Sequence, residues 1–177
     1  MRESERFHLG TSGPAYYAEA LKEAQRQREV EAGLKTVIKA EEMVWEDSPQ
    51  GRIKHMVNGE MGTKEHCVDM YQQLIGPNGK SGKHRHMSEE VFYVLEGQGY
   101  DLHWDVDFDA GVTYEWGWQE EPKRFDWVEG DFVYIPPYTI HQHVESAGGQ
   151  ARLLVANSRI LKAMGLDWFD QLEDASD

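Results

Sequence analysis

Two histidines one residue apart, His84 and His86, stand between a glycine-rich approach, Asn78 to Gly82, and the run Val91-Phe92-Tyr93-Val94-Leu95. In an extended strand successive side chains point to opposite faces, so the two imidazoles aim at one side and Arg85 at the other. Glu90 follows His86 by four residues, with Met87-Ser88-Glu89 between them as a short connection. A tight return there brings the carboxylate beside the imidazoles. His141 and His143 repeat the two-residue spacing after Gly130-Asp131-Phe132-Val133-Tyr134-Ile135-Pro136-Pro137-Tyr138-Thr139-Ile140. A chain that must hold such pairs on short strands, each bounded by Gly, Pro or Asn, is constrained to a small β architecture.

The two segments resemble the motifs of the cupins. His84, His86, Glu90 and Gly97 fall at the spacings of the first motif, and Gly130, Pro136 and His141 at those of the second. Three positions depart from the pattern: Asn78 stands where the first motif opens with glycine, Tyr138 replaces a glycine, and Glu145 replaces the closing asparagine. The resemblance spans roughly residues 68 to 157. It implies a mainly β fold, one double-stranded β-helix or jelly-roll barrel, with an N-terminal helix and short C-terminal helices. It also implies one metal ion held by His84, His86, Glu90 and His141, in a homodimeric protein. A narrower likeness to gentisate-type ring-cleaving dioxygenases rests on Trp127-Val128-Glu129-Gly130-Asp131, Pro136 and His141-Gln142-His143; Glu90 is a departure from that group.

Three imidazoles and a carboxylate suit Fe, Mn, Ni, Co, Cu or Zn rather than a thiolate-loving ion. Fe(II) is the expectation that fits an oxygenase acting on a small aromatic or hydroxy-acid substrate. A non-oxidative decarboxylase, lyase or isomerase and a non-catalytic ligand-binding barrel remain open alternatives. His143, on the face of His141, is a candidate acid/base. Tyr93 and Tyr138 are candidates to hydrogen-bond a substrate oxygen, Arg152 to bind a carboxylate, and Trp116 to line the pocket. Tyr114, Trp116 and Trp118 share one strand face and either cap the core or line the pocket mouth. Asp105, Asp107 and Asp109 alternate in the same way but lack the glycine and glutamate of an EF-hand, so a solvated acidic hairpin is expected.

The chain has 177 residues, room for one well-buried domain with arms. The expected divisions are 1–33, an arm and helix; 34–157, the barrel; and 158–177, a helical segment with an acidic tail. Eighteen Lys and Arg against 32 Asp and Glu leave a formal charge of −14. Such a field repels phosphate backbones and anionic membranes, so neither nucleic acid nor membrane is an expected partner. Cys67 is a lone cysteine, expected buried before a strand. No leader-like or membrane-length apolar run is present, and a cytoplasmic location is expected.

Residues 1–13 read as a polar arm, and Pro14 as the first helical turn. Ala15 to Ala32 is rich in helix formers with Gly33 as a left-handed stop, and carries a narrow stripe of Tyr17, Leu21 and Ala24. Short strands are expected over 35–40, 43–45, 52–57 and 67–75, with a turn at Asn58-Gly59, then over 99–106, 125–128, 132–135, 140–145 and 151–156. Residues 160–172 read as one or two short amphipathic helices.

Overall fold

Helix formers dominate the segment before Gly33, and α1 runs Tyr16–Gly33 in the computed structural model, which describes residues 15–64, 67–166 and 168–176. The chain divides into two units, 1–35 and 36–177. The expected arm over 1–13 and the placing of Pro14 lie outside the described residues. Ion pairs one turn apart, Lys22 with Glu19 and Arg26 with Glu23, ride on α1, and none of its residues is buried. Gly33 ends the helix but is not left-handed. Leu34 leaves in extended conformation with its N–H on Glu31 O, so no positive φ is required.

In the larger unit alternation of apolar and polar residues yields thirteen strands among the described residues. They are β1 Trp45–Ser48, β2 Gly51–Val57, β3 Val68–Ile75, β4 Lys83–His86, β5 Glu90–Glu96, β6 Gln98–Trp104 and β7 Val106–Ala110. The rest are β8 Tyr114–Trp118, β9 Lys123–Val128, β10 Phe132–Ile135, β11 Ile140–Glu145, β12 Ala151–Ser158 and β13 Phe169–Glu173. Pairing is antiparallel throughout. One sheet orders β1-β2-β3-β12-β5-β10, a second β13-β4-β11-β6-β9, and β7-β8 form a separate hairpin. The two larger sheets enclose Ile75, Phe92, Val94, Trp127, Ile135, Ala151, Leu153 and Val155, a jelly-roll core. The inward face changes character along each strand: β5 reads Glu90, Phe92, Val94 and β12 reads Val155 then Asn157. One end of the interior is therefore apolar and the other polar.

All three departures from the motif are accommodated. Asn78 (φ 56°) and Tyr138 (φ 68°) adopt the left-handed conformation for which glycine is the default; asparagine tolerates it well, whereas tyrosine needs the surroundings to hold it. Glu145 ties the turns together, its carboxylate accepting the backbone N–H groups of Asn78 (2.7 Å), Ala147 (2.7 Å), Gly148 (3.0 Å) and Gly149 (3.3 Å). Gly97 of the first motif has φ 90°, and a Cβ there would meet Gln150 O at 2.4 Å.

Four local expectations are corrected. The 35–45 region carries a 3-10 turn, Ala40–Glu42, and the first hairpin is β1-β2, closed at Ser48↔Gly51. Asn58 does not make a hairpin turn; its Oδ1 caps a 3-10 turn by accepting Glu60 and Met61 N–H. Cys67 is exposed, as is Val68, the first residue of β3 that follows it. The C-terminal segment keeps one helical turn, α2 Ile160–Ala163, and then becomes β13, paired with β4. Without β13 the strand bearing His84 and His86 would be an open sheet edge with unpaired backbone groups. No helix among the described residues is long and apolar enough to cross a membrane.

Candidate metal centre

β4 presents His84 and His86 inward, β5 opens with Glu90, and β11 sets His141 directly across from His84. One ligand atom from each of the four lies within 4.8 Å of the others, and all four side chains are buried. The ring centroids of His84, His86 and His141 are 4.1–5.3 Å apart. Each imidazole is oriented by a carbonyl on its outer nitrogen. Nδ1 of His84 contacts Gly82 O (3.3 Å), that of His86 Ser88 O (2.8 Å), and that of His141 Thr139 O (2.9 Å). A carbonyl accepts only, so each Nδ1 carries the proton and each Nε2 turns a lone pair inward.

Buried lone pairs converging without donors are costly unless something positive sits among them. His141 Nε2 and Glu90 Oε1 are buried and make no hydrogen bond; Glu90 Oε1 lies 3.8 Å from His141 Nε2 and 3.4 Å from His143 Nε2. Burial lowers His84 to about 3 and His141 well below its usual range. For Glu90 burial acts the other way, but the nearby rings of His143, His86 and His141 outweigh it and hold the carboxyl well below the ordinary value. Neutral imidazoles beside an anionic carboxylate are the protonation states that a metal ion requires. The donor set fits one divalent transition ion.

Behind Glu90 lies a second polar layer. His143 Nδ1 sits 3.0 and 3.1 Å from the two oxygens of Asp101, its partner across β6, and Asp101 also accepts from Trp127 Nε1 (3.0 Å) and meets His103 Nε2 at 3.3 Å. Burial would lower His143, yet Asp101 on one side and Glu90 on the other push it up to about 10. Tyr71 is raised well above an ordinary phenol by burial and by the Glu90 charge, and keeps its proton to donate to Glu90 Oε2 at 3.5 Å.

A cavity of about 350 Å³ opens onto the metal-facing histidines. His84 and His86 form its floor, with Tyr71, Asn157, Arg159 and Phe169 among its walls. Phe169 of β13 lies nearly parallel to the His86 ring, 11° between planes at 6.5 Å. Arg159 meets Asp69 at 3.2 Å.

The structure thus brings together His84, His86, Glu90 and His141. His143 lies behind Glu90, buried and outside the cavity lining. The four expected substrate residues also lie off this cavity. Tyr93 falls between the inward Phe92 and Val94 and is exposed, and Arg152 faces outward to pair with Glu96 at 3.1 Å. Trp116 is exposed on the β7-β8 hairpin beside Phe108. Tyr138 is held in its turn, its N–H donating to His86 O and its carbonyl accepting Trp118 Nε1. Trp118 joins Trp168 around the Arg85 guanidinium, 3.8 and 4.9 Å from the ring centres, outside the core. Asp107 and Asp109 lie on the exposed hairpin. Tyr71, Asp101, His103, Asn157, Arg159 and Phe169 were not singled out from sequence; the Asp101-Leu102-His103 alternation is the one local signal that pointed inward.

An antiparallel jelly roll with a His-His-Glu-His cluster at the polar end of its interior is a cupin. Within the cupins, the chain belongs to the auxin binding protein family, whose model matches residues 31–170. It is similar to two proteins named 3-hydroxyanthranilate 3,4-dioxygenase. The one from Cupriavidus pinatubonensis is 28% identical over 116 residues, 65% of this chain and 53% of the relative. The one from Burkholderia lata is 30% identical over 95 residues, 53% of this chain and 47% of the relative. The chain spans about half the length of these relatives. The fold is shared with a salicylate 1,2-dioxygenase from Pseudoaminobacter salicylatoxidans solved with gentisate, at a TM-score of 0.54 and 16% identity, covering 88% of this chain and 35% of that one.

Proposed function

We propose that the protein is a mononuclear cupin dioxygenase that uses Fe(II) and acts on a small hydroxylated aromatic acid. The observation that carries this reading is the convergence of three Nε2 lone pairs, each set by a carbonyl behind its ring, with the Glu90 carboxylate among them and a cavity lined by His84 and His86 beside them. The relatives named 3-hydroxyanthranilate 3,4-dioxygenase support the reaction class.

His84, His86, Glu90 and His141 would hold the ion. When bound, it supplies a Lewis acid and one-electron partner that lets dioxygen react with an aromatic ring. The chain's own residues do the rest. Phe169 and the imidazole edges offer a flat wall for a ring. Arg159 and Lys162, on the side of the cavity formed by the start of α2, offer cationic groups to a substrate carboxylate. Tyr71 holds its proton on Glu90, so that carboxylate stays fixed while substrate enters. Homodimer assembly is part of the same proposal; a monomeric mass by light scattering would remove it.

A second reading, a small-ligand binder without turnover, is favoured by the description of the family as binding proteins. Oxygen uptake by anaerobically Fe(II)-loaded protein, offered 3-hydroxyanthranilate, gentisate and salicylate, separates the two. Substrate-dependent uptake that disappears in His86→Ala supports the dioxygenase. Iron retained at about one per chain with no uptake on any compound overturns it in favour of binding.

A further inference from the structure

A buried polar layer stands behind the metal centre, and its geometry converges on one carboxylate. Asp101 sits on β6 directly opposite His143 on β11, and both are buried, as is Glu90 beyond them. Three separate donors surround the Asp101 carboxylate: Trp127 Nε1 at 3.0 Å on Oδ1, His103 Nε2 at 3.3 Å on Oδ2, and His143 Nδ1 at 3.0 and 3.1 Å from the two oxygens. A carboxylate held from three strands cannot rotate without leaving a buried donor unpaired. The His143 ring is also packed edge-to-face on Phe92, 4.9 Å between centroids at 74°. With ring plane and Nδ1 both fixed, Nε2 has one direction left, toward Glu90 Oε1 at 3.4 Å.

We propose that Asp101 is a positioning residue for the metal centre, acting through His143 to set the direction in which Glu90 presents its carboxylate. The inference rests on the reading that Glu90 is a metal ligand. The three histidine ligands are oriented by local carbonyls within two residues of themselves. Glu90 has no carbonyl of this kind behind it; its Oε2 is met by His86 Nε2 at 3.3 Å and Tyr71, and its Oε1 faces His143, 53 positions along the chain, at 3.4 Å. Removing Asp101 therefore loosens one ligand of four and leaves the other three as they are.

The test is titration of the metal-free full chain with Co²⁺, followed by its visible absorption, which reports ligand number and symmetry. Asp101→Leu is expected to weaken Co²⁺ about 10- to 100-fold and to change the absorption bands. Asp101→Asn keeps an acceptor for His143 Nδ1 and is expected to weaken binding less. Leu153→Ala, which perturbs the core without removing a partner of Asp101, is expected to lower thermal stability while leaving affinity and spectrum near wild type. Wild-type affinity and spectrum in Asp101→Leu overturn the proposal, as does an equal loss in Leu153→Ala. Where Asp101→Leu fails to fold, unchanged affinity and spectrum in Asp101→Asn overturn it. If wild-type protein and His84→Ala take up Co²⁺ alike, the metal-centre reading itself is what fails.

Discussion

Replacing Glu145 by alanine removes a carboxylate that accepts four backbone N–H groups and joins the turn at Asn78 to the turn after β11. A hydrogen bond to a charged acceptor contributes about 1.5–3 kcal/mol. All four donors belong to residues with exposed surface, so water replaces much of what is lost, and a net cost of about 2–3 kcal/mol follows. For a chain of this size that lowers Tm by about 4–12 °C. Glu145→Asn, which restores the residue type of the cupin motif, keeps a shorter acceptor and is expected to fall between the two. The effect has a defined pH dependence. Burial alone would raise the Glu145 carboxyl, but the backbone donors outweigh it and hold it below the ordinary value. The charge-dependent part is therefore fully present above the unfolded value of about 4.3 and fades as pH falls through the lower folded value. Differential scanning calorimetry of wild type and Glu145→Gln from pH 7 to pH 3 checks this, with the gap in Tm narrowing on acidification. A gap that widens, or a Glu145→Ala variant melting within about 1 °C of wild type, would refute the reasoning.

Chelation of the metal-loaded protein should lower Tm by about 8–16 °C, since a ligand present at a thousand times its Kd contributes about 4 kcal/mol; the His84→Ala variant should show no response to chelator. Arg85→Lys keeps the charge but loses the two bonds to Asp170 (2.8 and 2.6 Å) and the flat contact with Trp118, and a loss of about 1–2 kcal/mol is expected by urea denaturation. Arg152→Ala removes only an exposed ion pair with Glu96, so its cost should stay below about 1 kcal/mol with ligand affinity unchanged; a large loss of affinity would return Arg152 to the binding site.

The ligands of the candidate centre were legible because their geometry is local or motif-bound. A two-residue spacing puts His84 and His86 on one face of any strand, and a short return brings Glu90 to them. His141 required the second motif, since nothing in its own neighbourhood ties it to β4. The roles offered for Tyr93, Arg152 and Trp116 came from residue type alone, and type does not say which face of a strand a side chain takes. Phe169 was read as part of a helix because its segment is apolar at mixed spacing. Its fate depended on the open edge of β4, which no window around residue 169 contains.

The sequence by itself determined the alternation of the strands around the site and, through local spacing for His84, His86 and Glu90 and through the second motif for His141, the identity of the four converging side chains. Only the tertiary structure decided what surrounds them: the cavity walls Tyr71, Asn157, Arg159 and Phe169, and the layer Asp101-His143 behind Glu90. Those neighbours come from segments as far along the chain as Phe169, 85 residues past His84, brought together by register between sheets, and register is a property of the assembled barrel rather than of any segment in it.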